Sequence, residues 1–332
     1  MRTYYFILAL CCGLVAACST NEDPKFPIEK TIVQELMPLQ GVTLPALTEV
    51  KHPYLIVQNF ERTDSIYHIY DLRNNALTGV FGVEGRGPGE YMGITMLAPI
   101  PSSDIPVFDV NTNSIYWYGI SEEGLPVPKG TTQAWYKDYM FDIAFMSDSL
   151  FVINPLSSAT TEVMSLADSL PRKTRLYRNP DIDNPDLDPD LGYVYANESR
   201  IAQIYAYKKQ IDFMDIDLNL IKKIAFEYKS PINLESEDPN DIKRSYASAY
   251  FGKRYLYVMF WGTTKNERVA KSYGGASLEV FDLDGNPVAK YHLDGMGPDC
   301  FSVDEETFTL YGAIYYDGPE DSVLMYKLKG LL

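Results

Sequence analysis

Five carboxylates fall within ten residues at Asp181, Asp183, Asp186, Asp188 and Asp190. Hard oxygen donors at that spacing suit Ca²⁺. The EF-hand pattern is not met, because the sixth position is not glycine and the twelfth is not glutamate. Pro185 and Pro189 also stiffen the run. A solvated acidic loop is the plainer reading; calcium is the one cofactor worth testing, and no other is expected. The three histidines, His52, His68 and His292, form no His-x-His or His-x₃-His pair for zinc. No G-x-S-x-G elbow marks a serine nucleophile. Cys300 has no basic neighbour to lower its pKa, so it reads as buried rather than nucleophilic. With 45 acidic residues, two carboxylates at glycosidase spacing remain open.

Two segments share the pattern G-x-G-P-x-x-aromatic: Gly85-Arg86-Gly87-Pro88-Gly89-Glu90-Tyr91 and Gly295-Met296-Gly297-Pro298-Asp299-Cys300-Phe301. Neither is a phosphate cradle, since the Lys-Ser/Thr of a P-loop is missing. Turn chemistry accounts for most of the motif: glycine permits backbone conformations other residues avoid, and Pro88 fixes the turn. On that reading the motif turns the chain between elements and Tyr91 pins it. Arg86 and Glu90 are left over and are candidates to face a ligand. Tyr91, Met296 and Asp299 join them by position.

Aromatic side chains are the other source of chemistry. The chain holds 26 Tyr, 15 Phe and 3 Trp. Tyr116, Trp117, Tyr118, Trp135, Tyr136 and Trp261 could stack on sugar rings, although packing is where most aromatic area goes. Trp261 is the exception, because it sits at the lip of a long loop over residues 262–274.

These residues must be positioned by strands. Short apolar and aromatic runs recur, as at 54–57, 65–70, 77–81, 114–118, 255–260 and 277–281, separated by Gly, Asn, Asp and Pro. Long helical patterns are absent. Gly85 and Gly295 start the two copies of the motif about four units of ~50 residues apart, near the size of a four-stranded propeller blade. The expected fold is all-β, a six-bladed β-propeller of four-stranded antiparallel blades. The blades run from about 42–83, 92–134, 139–178, 190–228 and 243–293, and a sixth spans 298–327 with only three strands. The segment 28–36 alternates with period two and is expected to supply the missing strand and close the ring. A seven-bladed or sandwich-like arrangement is the alternative.

In a four-stranded blade, the link between the second and third strands and the link to the next blade emerge on one face. The long loops at 179–190, 229–242 and 262–274 all fall there, as do both G-x-G-P turns. Binding residues concentrate on loops held by a rigid scaffold. That face, at the channel mouth, is the expected ligand face.

The N-terminus gives the address. Met1-Arg2 is followed by an apolar run over 4–14, too short for a stable span and typical of a removed signal. Val15-Ala16-Ala17-Cys18 resembles the lipobox of bacterial lipoproteins, in which the cysteine is acylated. Residues 1–17 would then be the signal peptide, Cys18 the lipidation site, 18–26 an acidic tether and 27–332 the propeller. Ser19-Thr20-Asn21-Glu22-Asp23 resembles the export signal of surface lipoproteins of the Bacteroidetes. The resemblance implies an outer-membrane, lipid-anchored protein at the cell surface. With Cys11 and Cys12 in the signal, Cys300 is left without a disulfide partner. The formal net charge of −16 opposes nucleic acid and anionic surfaces as partners. The hydrophobic share of 46% is enough for a full core.

G-x-G-P-G-E-[FY] behind a lipobox also resembles the six-bladed, TolB-like propeller lipoproteins of Bacteroides and related Bacteroidetes. That resemblance implies fold and location, and hardly constrains activity. The expected function is a surface binding module for a glycan, peptide or partner protein. A polysaccharide hydrolase or lyase with carboxylates at the channel mouth is one alternative. A structural envelope-assembly scaffold is the other.

Overall fold

The computed structural model describes residues 24–331 apart from 62–64, 88–89, 92–94, 135–139, 226–239 and 316. Cys18, Trp135 and Tyr136 lie outside the described residues. Two strands precede the blades, β1 (Ile28–Val33) and β2 (Glu35–Pro38). Blade one is β3 (Pro45–Lys51), β4 (Tyr54–Asn59), β5 (Tyr67–Asp71) and β6 (Ala76–Phe81). Blade two is β7 (Thr95–Leu97), β8 (Ile105–Asp109), β9 (Ser114–Ile120) and β10 (Pro126–Gln133). Blade three is β11 (Met140–Phe145), β12 (Leu150–Pro155), β13 (Thr160–Ser165) and β14 (Lys173–Leu176). Blade four is β15 (Gly192–Ala196), β16 (Ile201–Tyr205), β17 (Gln210–Met214) and β18 (Leu220–Ala225). Blade five is β19 (Arg244–Phe251), β20 (Tyr255–Thr263), β21 (Ser277–Asp282) and β22 (Pro287–Asp294). Blade six has β23 (Cys300–Asp304), β24 (Thr309–Ala313) and β25 (Ser322–Lys327). The fold is the expected six-bladed propeller.

Burial within a blade follows position in the ring. The second and third strands are covered on both sides, so β4 and β5 are buried along their whole length. Their runs are accordingly apolar with little alternation. Outer strands such as β10 and β18 are mostly exposed and carry Lys, Thr and Gln. The hydrophobic clusters sit between blades. Tyr67, Phe81, Ile105 and Tyr118 join blades one and two. Phe108, Phe145 and Phe151 join two and three, and Val163, Val194 and Met214 join three and four. Phe213, Leu256 and Phe281 join four and five, Tyr257, Leu278 and Leu310 five and six, and Met37, Leu55 and Val323 six and one. Each blade is thus held by two apolar faces, which is how a ring of sheets avoids open edges.

Ring closure departs from expectation in one respect. The segment 28–36 does not act as one strand. Only β2 completes blade six, antiparallel to β25. β1 instead runs parallel to β22 and makes blade five a five-stranded sheet. Gln34 causes the step. Its N–H donates to Asp294 O at 3.1 Å, and its side-chain Oε1 accepts from Met296 N at 2.7 Å and Tyr326 Oη at 3.3 Å. The side chain fills the junction of blades five and six, so the chain must cross there. Gly295 makes room: its φ is +147°, and a Cβ would stand 2.5 Å from Gln34 Oε1. Inner strands complete the seam, with Thr48 Oγ1 donating to Tyr311 O at 2.9 Å.

The loop over 262–274 contains one short helix, α1 (Lys265–Ala270). Thr264 caps it by accepting from Glu267 N at 3.1 Å. Glu267 Oε2 in turn accepts from Thr264 N at 3.1 Å, a reciprocal capping box.

Candidate functional site

The first strand of each blade faces the ring axis, and side chains at alternate positions enter the channel. In β15 the burial alternates, leaving Tyr193 and Tyr195 half-exposed between buried neighbours. β19 brings Ser248 and Tyr250, β11 brings Asp142, and β3 brings Glu49 to the same space. The result is a cavity of about 770 Å³, within the usual range for ligand pockets. Its rim is built by Trp261 at the end of β20, Arg268 of α1, Tyr273, Asp299, Tyr315 and Asp317. By connectivity these rim segments share the face of the long loops.

The rim is tied together by Arg268, which is only 5% exposed. Its guanidinium lies 3.2 Å from the Trp261 ring centroid and 4.9 Å from that of Tyr273. Nη1 donates to Asp299 Oδ1 at 2.8 Å and Nη2 to Gly297 O at 2.9 Å. Asp299 Oδ2 also accepts from Tyr315 N at 2.9 Å. Tyr273 Oη donates to Asp317. Burial pulls the Arg268 pKa down while Asp299 holds it up.

Deeper in, burial pushes the Asp142 carboxyl up to about 7, against the pull of the Val194 N–H. Burial also raises Glu49, opposed by Lys51 at 3.0 Å. Burial drives the Tyr195 and Tyr250 phenols well up, so they stay neutral. Cys300 lines the wall with its thiol pushed up to about 12 by burial, which suppresses thiolate chemistry. Around the cavity, Asp142 Oδ2, Ser248 Oγ and Trp261 Nε1 have no hydrogen-bond partner among the described residues, and each is itself shielded from solvent.

Of the residues singled out in the sequence, Trp261 and Asp299 line the cavity. Arg86, Glu90, Tyr91 and Met296 do not. Arg86 is exposed. Glu90 turns back on its own loop, its Oε2 accepting from Gly87 N at 2.6 Å. Tyr91 is fully buried between blades one and two, with its hydroxyl donating to Tyr118 Oη at 3.0 Å. Met296 O accepts from Tyr326 Oη at 2.7 Å. Neither Gly85 nor Gly87 has a positive φ. A Cβ at 85 would meet Glu90 Oε2 at 1.9 Å, so the Glu90 carboxylate lies in the space a side chain there would take. Replacing Glu90 by alanine should therefore cost about 1 kcal/mol, read from the denaturant midpoint, and leave any binding in the cavity unchanged.

In the acidic loop, Asp188 is buried with Arg178 at 3.9 Å. Asp188 Oδ2 accepts from Asn179 N and Oδ1 from Asp190 N, and Asp190 pairs with Lys208. Among the described residues, no group of three or more His, Cys, Asp or Glu could hold a metal ion.

Sequence reasoning did not single out Asp142, Ser248, Arg268 or the channel tyrosines. A signal existed for two of them. Asp142 is the one charge in the apolar run Met140–Phe145. Thr264-Lys265-Asn266-Glu267 is a helix-start signature that would have placed Arg268 on a helix beside Trp261.

Comparison with known proteins supports the fold. Residues 184–306 match the profile of the TolB-like 6-blade propeller-like family. A Bacteroides fragilis protein named as exported superposes with a TM-score of 0.54 at 11% identity, covering 90% of this chain and 98% of that one. A member of the DUF4221 family from Bacteroides vulgatus superposes with a TM-score of 0.54 at 14% identity, covering 89% and 95%. No curated protein matches the chain in sequence.

Proposed function

For this six-bladed propeller, similar over residues 184–306 to the TolB-like 6-blade propeller-like family, we propose a lipid-anchored outer-membrane protein, displayed at the cell surface, that binds its ligand in the channel cavity. The observation that carries the binding role is the cavity itself, about 770 Å³, walled by aromatic side chains such as Tyr193, Tyr195, Tyr250 and Trp261 and by polar ones such as Ser248, Arg244 and Asp299. Concave, mostly apolar sites with a few convergent polar groups are where proteins hold ligands. Aromatic faces and mixed donors and acceptors suit a glycan or a peptide.

The anchor rests on the apolar run at 4–14 and the small residues before Cys18. Replacing Cys18 by alanine is expected to abolish incorporation of a labelled fatty acid and to release the protein from the membrane fraction. Retention of label in that variant would remove the anchor. Surface display predicts that protease added to intact cells cleaves the wild-type protein.

A hydrolase or lyase is the second reading, and Asp142 alone favours it. A carboxyl held near 7 in a cavity can act as a general acid at neutral pH. Turnover of a bound polysaccharide that Asp142→Asn abolishes, with binding retained, would establish that reading.

A further inference from the structure

We infer that the ligand of the channel cavity carries a carboxylate and that Arg244 seats it, with Lys265 beside it at the rim; this rests on the reading of the channel as the ligand site. Both side chains line the cavity. Arg244 opens β19 and is half-buried. Its partner across the ladder is Thr263, at the end of β20, and Lys265 follows two residues later at the start of α1. The first turn of α1 is fixed to the stretch just before β19. Asn266 Nδ2 donates to Asp241 Oδ1 at 2.7 Å, and Asn266 N donates to Asn240 O at 3.3 Å. The two cations therefore rise from one corner of the mouth. Among the described residues, neither stands within ion-pair distance of a carboxylate. Arg244 lies beside the Tyr207 hydroxyl, whose proton goes to Asp186 O at 2.9 Å. That neighbour is neutral, and Asp186 itself is exposed and does not line the cavity.

The other charges around the cavity are accounted for. Glu49 is paired with Lys51 at 3.0 Å, and Asp299 with Arg268 at 2.8 Å. Burial keeps Asp142 protonated up to about 7. Of the lining acids this leaves Asp317, which belongs to the link between β24 and β25 in blade six and accepts from Tyr273 Oη. Arg244 lies on the blade four side, near Tyr193 and Tyr207. The mouth thus holds two unmatched cations against one acid, in a chain whose formal net charge is −16. A single carboxylate neutralises that surplus, whereas a phosphate, at about −1.5 to −2, overshoots it. Besides burial, the charge of Arg244 pulls the Arg268 pKa down, against the lift from Asp299. An anion on Arg244 relieves that repulsion. A guanidinium also presents a planar fork that takes a carboxylate through two parallel bonds.

The test is calorimetric titration of the full chain in detergent with trigalacturonate, triglutamate, a neutral trisaccharide of galactose and inorganic phosphate. The variants are Arg244→Gln, Lys265→Gln and Ala247→Trp. The last sets an indole into the cavity from the half-buried Ala247 of β19 and reports whether a probe binds there. Arg244→Gln and Lys265→Gln break no ion pair among the described residues, so each should melt close to the wild type. At least one carboxylate probe is expected to bind, and the one that does identifies what carries the carboxylate. Arg244→Gln should weaken it roughly tenfold or more, the loss of a charged hydrogen bond. Lys265→Gln, at an exposed position, should weaken it only a few-fold, and Ala247→Trp should abolish it. Added salt should weaken binding to the wild type more than to Arg244→Gln. If a carboxylate probe binds Arg244→Gln as well as the wild type, or if neither binds at millimolar concentration, the inference is overturned. If only the neutral trisaccharide or phosphate binds, and Ala247→Trp abolishes it, the cavity stands and the carboxylate is overturned. If whatever binds is indifferent to Ala247→Trp, the cavity reading falls as well.

Discussion

Arg268→Ala is expected to lower stability by about 3–5 kcal/mol, the cost of breaking a buried ion pair by removing one partner. The Asp299 carboxylate would keep its bond from Tyr315 N but lose the charge that balances it. Its side chain is 14% exposed, so water can compensate only in part. Trp261 and Tyr273 would lose the cation stacked on their rings, a contact worth up to ~2 kcal/mol when desolvated. Gly297 O would lose its donor as well. Arg268→Lys should recover less than half of the loss, since an ammonium cannot bond Asp299 and Gly297 O in a fixed fork while lying flat on indole. Denaturant melts measure the total. Hydrogen exchange over 264–274 tells where it falls: if α1 alone loses protection, Arg268 fastens the rim rather than the ring. A melt unchanged by Arg268→Ala would mean that the pair contributes nothing net. Little dependence on salt is expected, because a buried pair is poorly screened.

The ring was legible because its strands are short, aromatic and punctuated, and because the G-x-G-P turn recurs at a multiple of the blade length. Closure from the N-terminal side was legible from arithmetic alone: the sixth blade had only three strands of its own. The division of 28–36 between two blades was not. Both halves alternate, and nothing in the local pattern distinguishes a parallel partner from an antiparallel one. The step depends on Gln34 meeting Gly295, Met296 and Tyr326, residues far away in sequence. The glycines at 85 and 87 mislead for a related reason. The Glu90 carboxylate occupies the space beside them, whereas glycine in a turn usually signals backbone freedom.

The cavity was the least legible part. All six blades contribute residues to it, so no local motif exists. Asp142, Tyr195 and Ser248 each sit in an ordinary strand. Only closure of the ring brings them together. Of the loop residues named from the sequence, Trp261 and Asp299 line the cavity rim. Arg86 and Glu90 lie on a turn of the same kind in the first repeat, yet that turn closes on itself through Glu90 and Gly87. Two copies of a motif therefore occupy equivalent topological places, and only the second borders the cavity.

Asp142→Asn is expected to make the protein more stable at neutral pH, a sign opposite to most substitutions of buried groups. In the unfolded chain this carboxyl titrates at the ordinary value of 3.8, and in the fold it is held up to about 7. Below about pH 4 both states carry the proton and the group has no effect. As pH rises toward 7 the unfolded chain ionises while the folded protein holds its proton, so stability falls. Above about pH 7 the accumulated loss approaches ~4 kcal/mol, because every pH unit between the unfolded and folded pKa values contributes about 1.36 kcal/mol. An amide cannot ionise, and its oxygen can still accept from Val194 N. Asp142→Asn should thus gain on the order of 3 kcal/mol at about pH 8 and nothing at about pH 4, as read from denaturant melts across that range. The neighbouring phenols of Tyr177, Tyr193 and Tyr195 feel the Asp142 charge, but they are raised themselves and stay protonated throughout. A loss of stability in the variant at every pH would show that the carboxylate is paired in the fold and that the titration argument fails. A gain in stability together with weaker ligand binding would mark Asp142 as a group the protein tolerates for function, since stability is commonly surrendered at binding sites.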